Sequence, residues 1–208
     1  MITNLERTSE HEMLRTWVTA EAAARERFKG LDQWVDVRLL EKLNASPEAI
    51  TSDEWEALER GIKGFRGPLL DDLLPLGLTW YRGDLPVADL THLRFINFPP
   101  FVNVASCRML EHVVSWIEHD RLIPNSDLTQ NARRIHATFD PTRMNGRPIL
   151  VCESTSGPSF LVEGYTRCSV LLLKRQDGSF TNSHVPVILG ATPRLREWRW
   201  VTFVGETG

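Results

Sequence analysis

With 208 residues, 42% apolar and 25% charged, and a net charge of −3, the chain has the make-up of one substantial folded domain, or of a domain with a helical appendage. No run of about 18 apolar residues is present, and the opening Met1-Ile2-Thr3-Asn4-Leu5-Glu6-Arg7 lacks the basic-then-apolar order of a signal peptide, so no membrane partner is expected. Its three cysteines, Cys107, Cys152 and Cys168, are odd in number and form no C-x-x-C pair, which argues against a disulfide framework or a zinc ribbon and points to a cytoplasmic protein.

In chain order, Ser9 with Glu12 forms a capping box ahead of Leu14, Trp17, Ala24 and Phe28, predicting an amphipathic helix over 10–28. Asp32 is placed to cap a second helix carrying Trp34, Val37, Leu40 and Leu43. Thr51 and Glu54 make another capping box, for a helix with Trp55, Leu58 and Ile62 that stops near Gly61 to Gly64. Residues 64–77, broken by Gly67, Pro68, Pro75 and Gly77, read as irregular.

From Trp80 the texture changes. Leu93 to Phe98 reads as a strand stopped by Pro99-Pro100, and 104–119, with Leu110, Val113, Val114 and Ile117, as a helix. A short helix capped by Ser126 or Asp127 reaches His136. Then come strand 148–152, turn 154–158, strand 159–162, helix 166–174, loop 175–183, strand 184–189 and a short helix near 193–198. The expected fold is α+β: an acidic helical region over 1–90 packed on a small mixed-sheet domain over 91–208. Residues 1–90 hold 11 basic and 17 acidic side chains, against 13 and 10 in 91–208, so an anionic ligand would meet the second half.

The stretch richest in chemistry is Phe160-Leu161-Val162-Glu163-Gly164-Tyr165-Thr166-Arg167. A strand ends at a glycine and a helix begins, with Thr166 able to cap it and an Arg where an acidic residue is usual. The first turn of a helix presents N–H groups and positive potential to an anion, and a glycine lets that anion approach the backbone. The plainer reading of Glu163 and Arg167, four apart, is an ion pair that seats the helix.

Together with Arg147-Pro148-Ile149-Leu150-Val151 before it and Val185-Pro186-Val187 after it, this stretch resembles the superfamily of ParB N-terminal domains and sulfiredoxins. Its members share a P-I-x-V strand, a hairpin, an L-(V/I)-(D/E)-G-x-x-R turn, a helix and a V-P-V strand. The resemblance covers 115–195 and leaves 1–90 without a counterpart. It implies a ParB/sulfiredoxin-like fold whose G-x-x-R turn holds nucleotide phosphates, as in partition proteins that hydrolyse CTP and in ATP-using relatives. Carried onto this chain, it places Gly164, Thr166 and Arg167 at a phosphate, with Tyr165 and Glu163 beside it. Arg147 and Arg133 would add positive charge, and Glu163 would assist an Mg²⁺ ion or act as a base. Sulfiredoxins carry Cys directly after the turn glycine, where this chain has Tyr165, so their redox chemistry is excluded. Partition proteins carry Glu and Arg where Tyr165 and Thr166 stand. The D-G-x-x-R form of the family's kinases is nearest, with Glu163 in place of Asp.

The leading expectation is a protein that binds a nucleotide (ATP or CTP) or another phosphorylated small molecule, as a nucleotide hydrolase or phosphotransferase. Two others stand beside it: a non-catalytic regulatory module that meets DNA or a protein partner through its helical region, and a nuclease. His112 and His119, seven apart on one helix face, lack the four-residue spacing of a two-His metal site, so no metal ligand is assigned. His136 and His184 are isolated. Arg133, Arg134 and Arg143 read as a solvated basic face or a phosphate clamp. Arg194, Arg196 and Arg199, alternating with Trp198 and Trp200, read as packing or as a stacking surface for single-stranded nucleic acid.

Overall fold

Six strands form one mixed sheet in the order β1-β2-β6-β4-β5-β3. They belong to a computed structural model that describes residues 1–23, 27–97, 109–118, 137 and 146–203. The strands are β1 (Thr3–Thr8), β2 (Thr79–Pro86), β3 (Arg94–Phe95), β4 (Ile149–Cys152), β5 (Ser159–Glu163) and β6 (His184–Ala191). β4 pairs antiparallel with β5 and parallel with β6, β3 lies parallel to β5, and β2 runs antiparallel to both β1 and β6. The helices are α1 (Glu10–Ala22), α2 (Val37–Ala45), α3 (Ser52–Phe65), α4 (Gly67–Leu73), α5 (Leu110–Glu118) and α6 (Tyr165–Gln176).

Side chains on a strand alternate between faces, and β4 shows the consequence. All four of its residues are buried; Ile149 and Val151 face a core built with α1–α4, while Leu150 and Cys152 face a core built with α5 and α6. The sheet is therefore the middle of three layers. Met13, Leu14, Trp17 and Val18 of α1 and Leu58 and Ile62 of α3 fill one side, and Leu110, Val114, Val170 and Leu171 fill the other. Each such aliphatic side chain contributes about 1.5–3 kcal/mol through burial. The α+β class and the helical region lying on a mixed sheet match the expectation.

Several boundaries differ, each for a local reason. Ser9 caps α1 by accepting from the Glu12 N–H at 3.2 Å, but the Glu12 carboxylate reaches Arg82 at 2.8 Å instead of turning back to the cap. α1 ends at Ala22, and Arg27–Gln33 forms a 3-10 turn. Asp36, not Asp32, caps α2, accepting from Arg38 at 2.8 Å. The Thr51–Glu54 capping box forms in full. Residues 67–73, read as irregular, are the helix α4; its Pro68 sits in the first turn, where a missing N–H is harmless. Strands β1 and β2 were not expected inside 1–90. β1 is a polar edge strand, exposed except at the half-buried Leu5 and Thr8 and with a register shift between Thr3 and Glu6, so it lacks the alternation that would mark it. The expected helix ending at His136 and residues 104–108 of the helix before it lie outside the described residues.

Candidate functional site

β5 delivers the chain to Gly164, whose φ of 97° is left-handed backbone. A side chain there would strain this conformation and meet Pro148 at 3.1 Å. Gly164 is itself the N-cap of α6, which has no side-chain cap and no acidic residue in its first turn. Thr166 is therefore not the cap that its hydroxyl suggested: the left-handed glycine starts the helix two residues earlier, and Thr166, half-buried, lies within the first turn.

Arg167 donates through Nη2 to Glu163 Oε2, and both side chains are mostly buried, 14% and 17% exposed. Burial pushes the Glu163 carboxyl above its ordinary range, opposed by the charge of Arg167; Glu21 raises it further and Arg66 opposes. Tyr165 donates its hydroxyl to the Leu161 carbonyl at 2.6 Å and packs on Phe95 with ring centres 5.0 Å apart. Burial pushes its phenol well up. Arg147 is half-buried at the approach to β4. Arg133, Arg134, Arg143, His119, His136 and Cys107 lie outside the described residues.

Two residues at this corner escaped the sequence reading. Glu21, buried at the end of α1, accepts from Trp17 Nε1 at 3.2 Å and from Arg66 Nε at 3.0 Å, with Arg66 Nη2 on the same oxygen. A signal was present: Leu14, Trp17, Val18 and Glu21 share one helical stripe, so a carboxylate falls on an apolar face and needs a buried donor. Gly146, with φ of 77°, is wedged between α1 and the arginine; a Cβ there would stand 3.0 Å from both Ala20 Cβ and Arg167 Nη1.

The remaining candidates fall elsewhere. Cys152 and Cys168 are buried, and burial pushes each thiol up to about 12, so neither is a thiolate at neutral pH. His184 is exposed and bonds Ser183 at 2.8 Å. Arg194 pairs with Glu197, Arg196 with Glu153 and Arg199 with Asp72. Trp198 is 1% exposed, and Trp200 donates to the Pro68 carbonyl at 3.1 Å. Both tryptophans pack on the helical layer. A cleft of about 180 Å³ opens among Arg7, Glu10, Leu78 and Trp80, and shares no lining residue with the Gly164 turn.

Among the described residues no three His, Cys, Asp or Glu side chains gather to hold a metal ion. Glu163, the carboxylate expected to assist Mg²⁺, instead accepts from Arg167. No helix among those residues is long and apolar enough to cross a membrane. No protein-family model, no curated protein and no solved structure matches the chain.

Proposed function

We propose that the Gly164 turn binds the phosphate of a nucleotide or of another phosphorylated small molecule. One observation carries this reading: β5 ends in a left-handed glycine that opens a twelve-residue helix with no side-chain cap, no acid and an arginine in its first turn. The N–H groups there and the dipole of α6 favour an anion. Arg167 supplies the fork of donors that matches phosphate oxygens.

Hydrolysis or phosphoryl transfer would add a second requirement. Such reactions depend on positioning and on neutralising phosphate charge, so Glu163 would have to leave Arg167 before serving as a base. Binding is thus better supported than catalysis.

Titration calorimetry with ATP, CTP and GTP, with and without Mg²⁺, tests the reading. Binding to the parent protein is expected, weakened by at least ~10-fold in Arg167→Gln, since one lost charge-assisted contact is worth about that factor. Equal binding by the folded variant and its parent would overturn it.

A further inference from the structure

Glu59 of α3 is a buried carboxylate, 8% exposed, and both of its oxygens are used by α1. Arg15 donates from Nε to Oε1 at 2.9 Å, and His11 Nδ1 stands 2.6 Å from Oε2. A carboxylate only accepts, so the proton of that second bond sits on Nδ1 and the neutral ring carries its lone pair on Nε2. The His11 side chain is 71% exposed, and Nε2 has no partner among the described residues. The imidazole is thus held in one tautomer and one orientation, with its nucleophilic nitrogen directed away from the carboxylate.

Stability gives little reason for the histidine. Arg15 already supplies the counter-charge that burying Glu59 demands, and it stacks over Trp55 with its guanidinium carbon 4.9 Å from the ring centre. A second partner exposed to this degree adds little, as surface ion pairs do. The acidic neighbours of His11 on α1 are each paired: Glu10 with Lys63 at 2.9 Å and Glu12 with Arg82 at 2.8 Å. Arg15 lies one helical turn from His11 on the same face, and its Nη1 and Nη2 make no hydrogen bond among the described residues. Those nitrogens are left to receive the oxygens of a group carried on the imidazole.

His92 and His184 supply the contrast. Both are exposed, but in each Nδ1 meets a hydroxyl, Thr91 Oγ1 at 3.4 Å and Ser183 Oγ at 2.8 Å. A hydroxyl both donates and accepts, so neither tautomer is selected there.

We propose that His11 is a site of covalent phosphoryl transfer, its Nε2 accepting the phosphoryl group of a small activated donor of the phosphoramidate class. The Nε2 lone pair attacks phosphorus, the N–P bond of the donor breaks, and its protonated nitrogen leaves as ammonia. The ring keeps its Nδ1 proton, the positive charge it gains faces the Glu59 carboxylate, and Arg15 meets the phosphoryl oxygens.

The test treats the full chain with phosphoramidate near neutral pH. Each histidine is followed by peptide mass mapping under alkaline conditions, and phosphorus NMR distinguishes Nε2 from Nδ1 adducts. His11 should be labelled at Nε2, ~10-fold or more faster than His92 and His184. Glu59→Gln, with folding checked by circular dichroism, should slow His11 by about 10-fold and leave His92 and His184 unchanged. Should that variant fail to fold, the comparison of the three histidines in the parent decides alone. Equal labelling of the three, an Nδ1 adduct at His11, or a folded Glu59→Gln protein labelled at the parent rate overturns the proposal and leaves the contact as a staple between α1 and α3.

Discussion

The two faces of the sheet are covered by different chemistry. Beneath α5 and α6 the core is aliphatic and aromatic, with the thiols of Cys152 and Cys168 behaving as small apolar groups and Ser169 of α6 the uncharged polar side chain buried there. Beneath α1–α4 the core is just as apolar at its centre, but buried carboxylates interrupt its margin. Glu21 meets Trp17 and Arg66; Glu59 meets His11 at 2.6 Å and Arg15 at 2.9 Å. A layer held by apolar contact alone can slide or repack at little cost, whereas donors and acceptors fix one arrangement. The charged face is also the one that reaches the Gly164 turn.

The comparison can be broken first at its common element. Trp17→Ala on one face should cost about 3–5 kcal/mol and Leu171→Ala on the other about 2–5 kcal/mol, read from urea midpoints. A negligible loss at either site would mean that its layer does not share the core. Next comes the difference between the faces. Arg66→Ala leaves Glu21 buried against Trp17 without its guanidinium and should cost about 3 kcal/mol, while replacing both residues together by Leu and Met should recover most of that. Failure of the double variant to recover would show that the pair supports the native state in its own right.

The smallest effect is one of acidity. Glu163 has its folded value raised above the ordinary 4.5 by burial, so between those values the native state holds the proton more firmly and stability falls as pH rises. Glu54, half-buried and bonded to Lys42 and Thr51, has its value lowered, so its contribution is present above 4.5 and lost as pH falls. Urea midpoints across pH should therefore flatten just above 4.5 in Glu163→Gln and just below it in Glu54→Gln. The same change of slope in both variants would contradict the opposite environments.

Much of the second half was legible in the sequence. The runs around Ile149, Phe160 and Val187 are short and apolar and bounded by turn residues, and they became β4, β5 and β6 within a residue or two. The start of α3 was legible because a capping box is local chemistry. The α1–α2 region was less so: Asp32 and Asp36 are equally good caps on paper, and packing of Val35 and Leu40 selected Asp36. β1 and β2 were missed because their strand character comes from partners far along the chain. At the site, Gly164 and the Glu163–Arg167 pair could be named from spacing. Glu21 and Arg66 could not be joined to them, because 45 and more residues separate the partners and only the fold brings them together.

The eight-residue ladder between β2 and β6 has a consequence for how the chain can be divided. Strand β6 is apolar along most of its length and sits between β2 and β4, so cutting the protein after residue 90 would strip one flank of His184–Ala191 bare. Unprotected backbone of that kind recruits other strands. The amino-terminal 90 residues thus work as a sheath for one flank of β6.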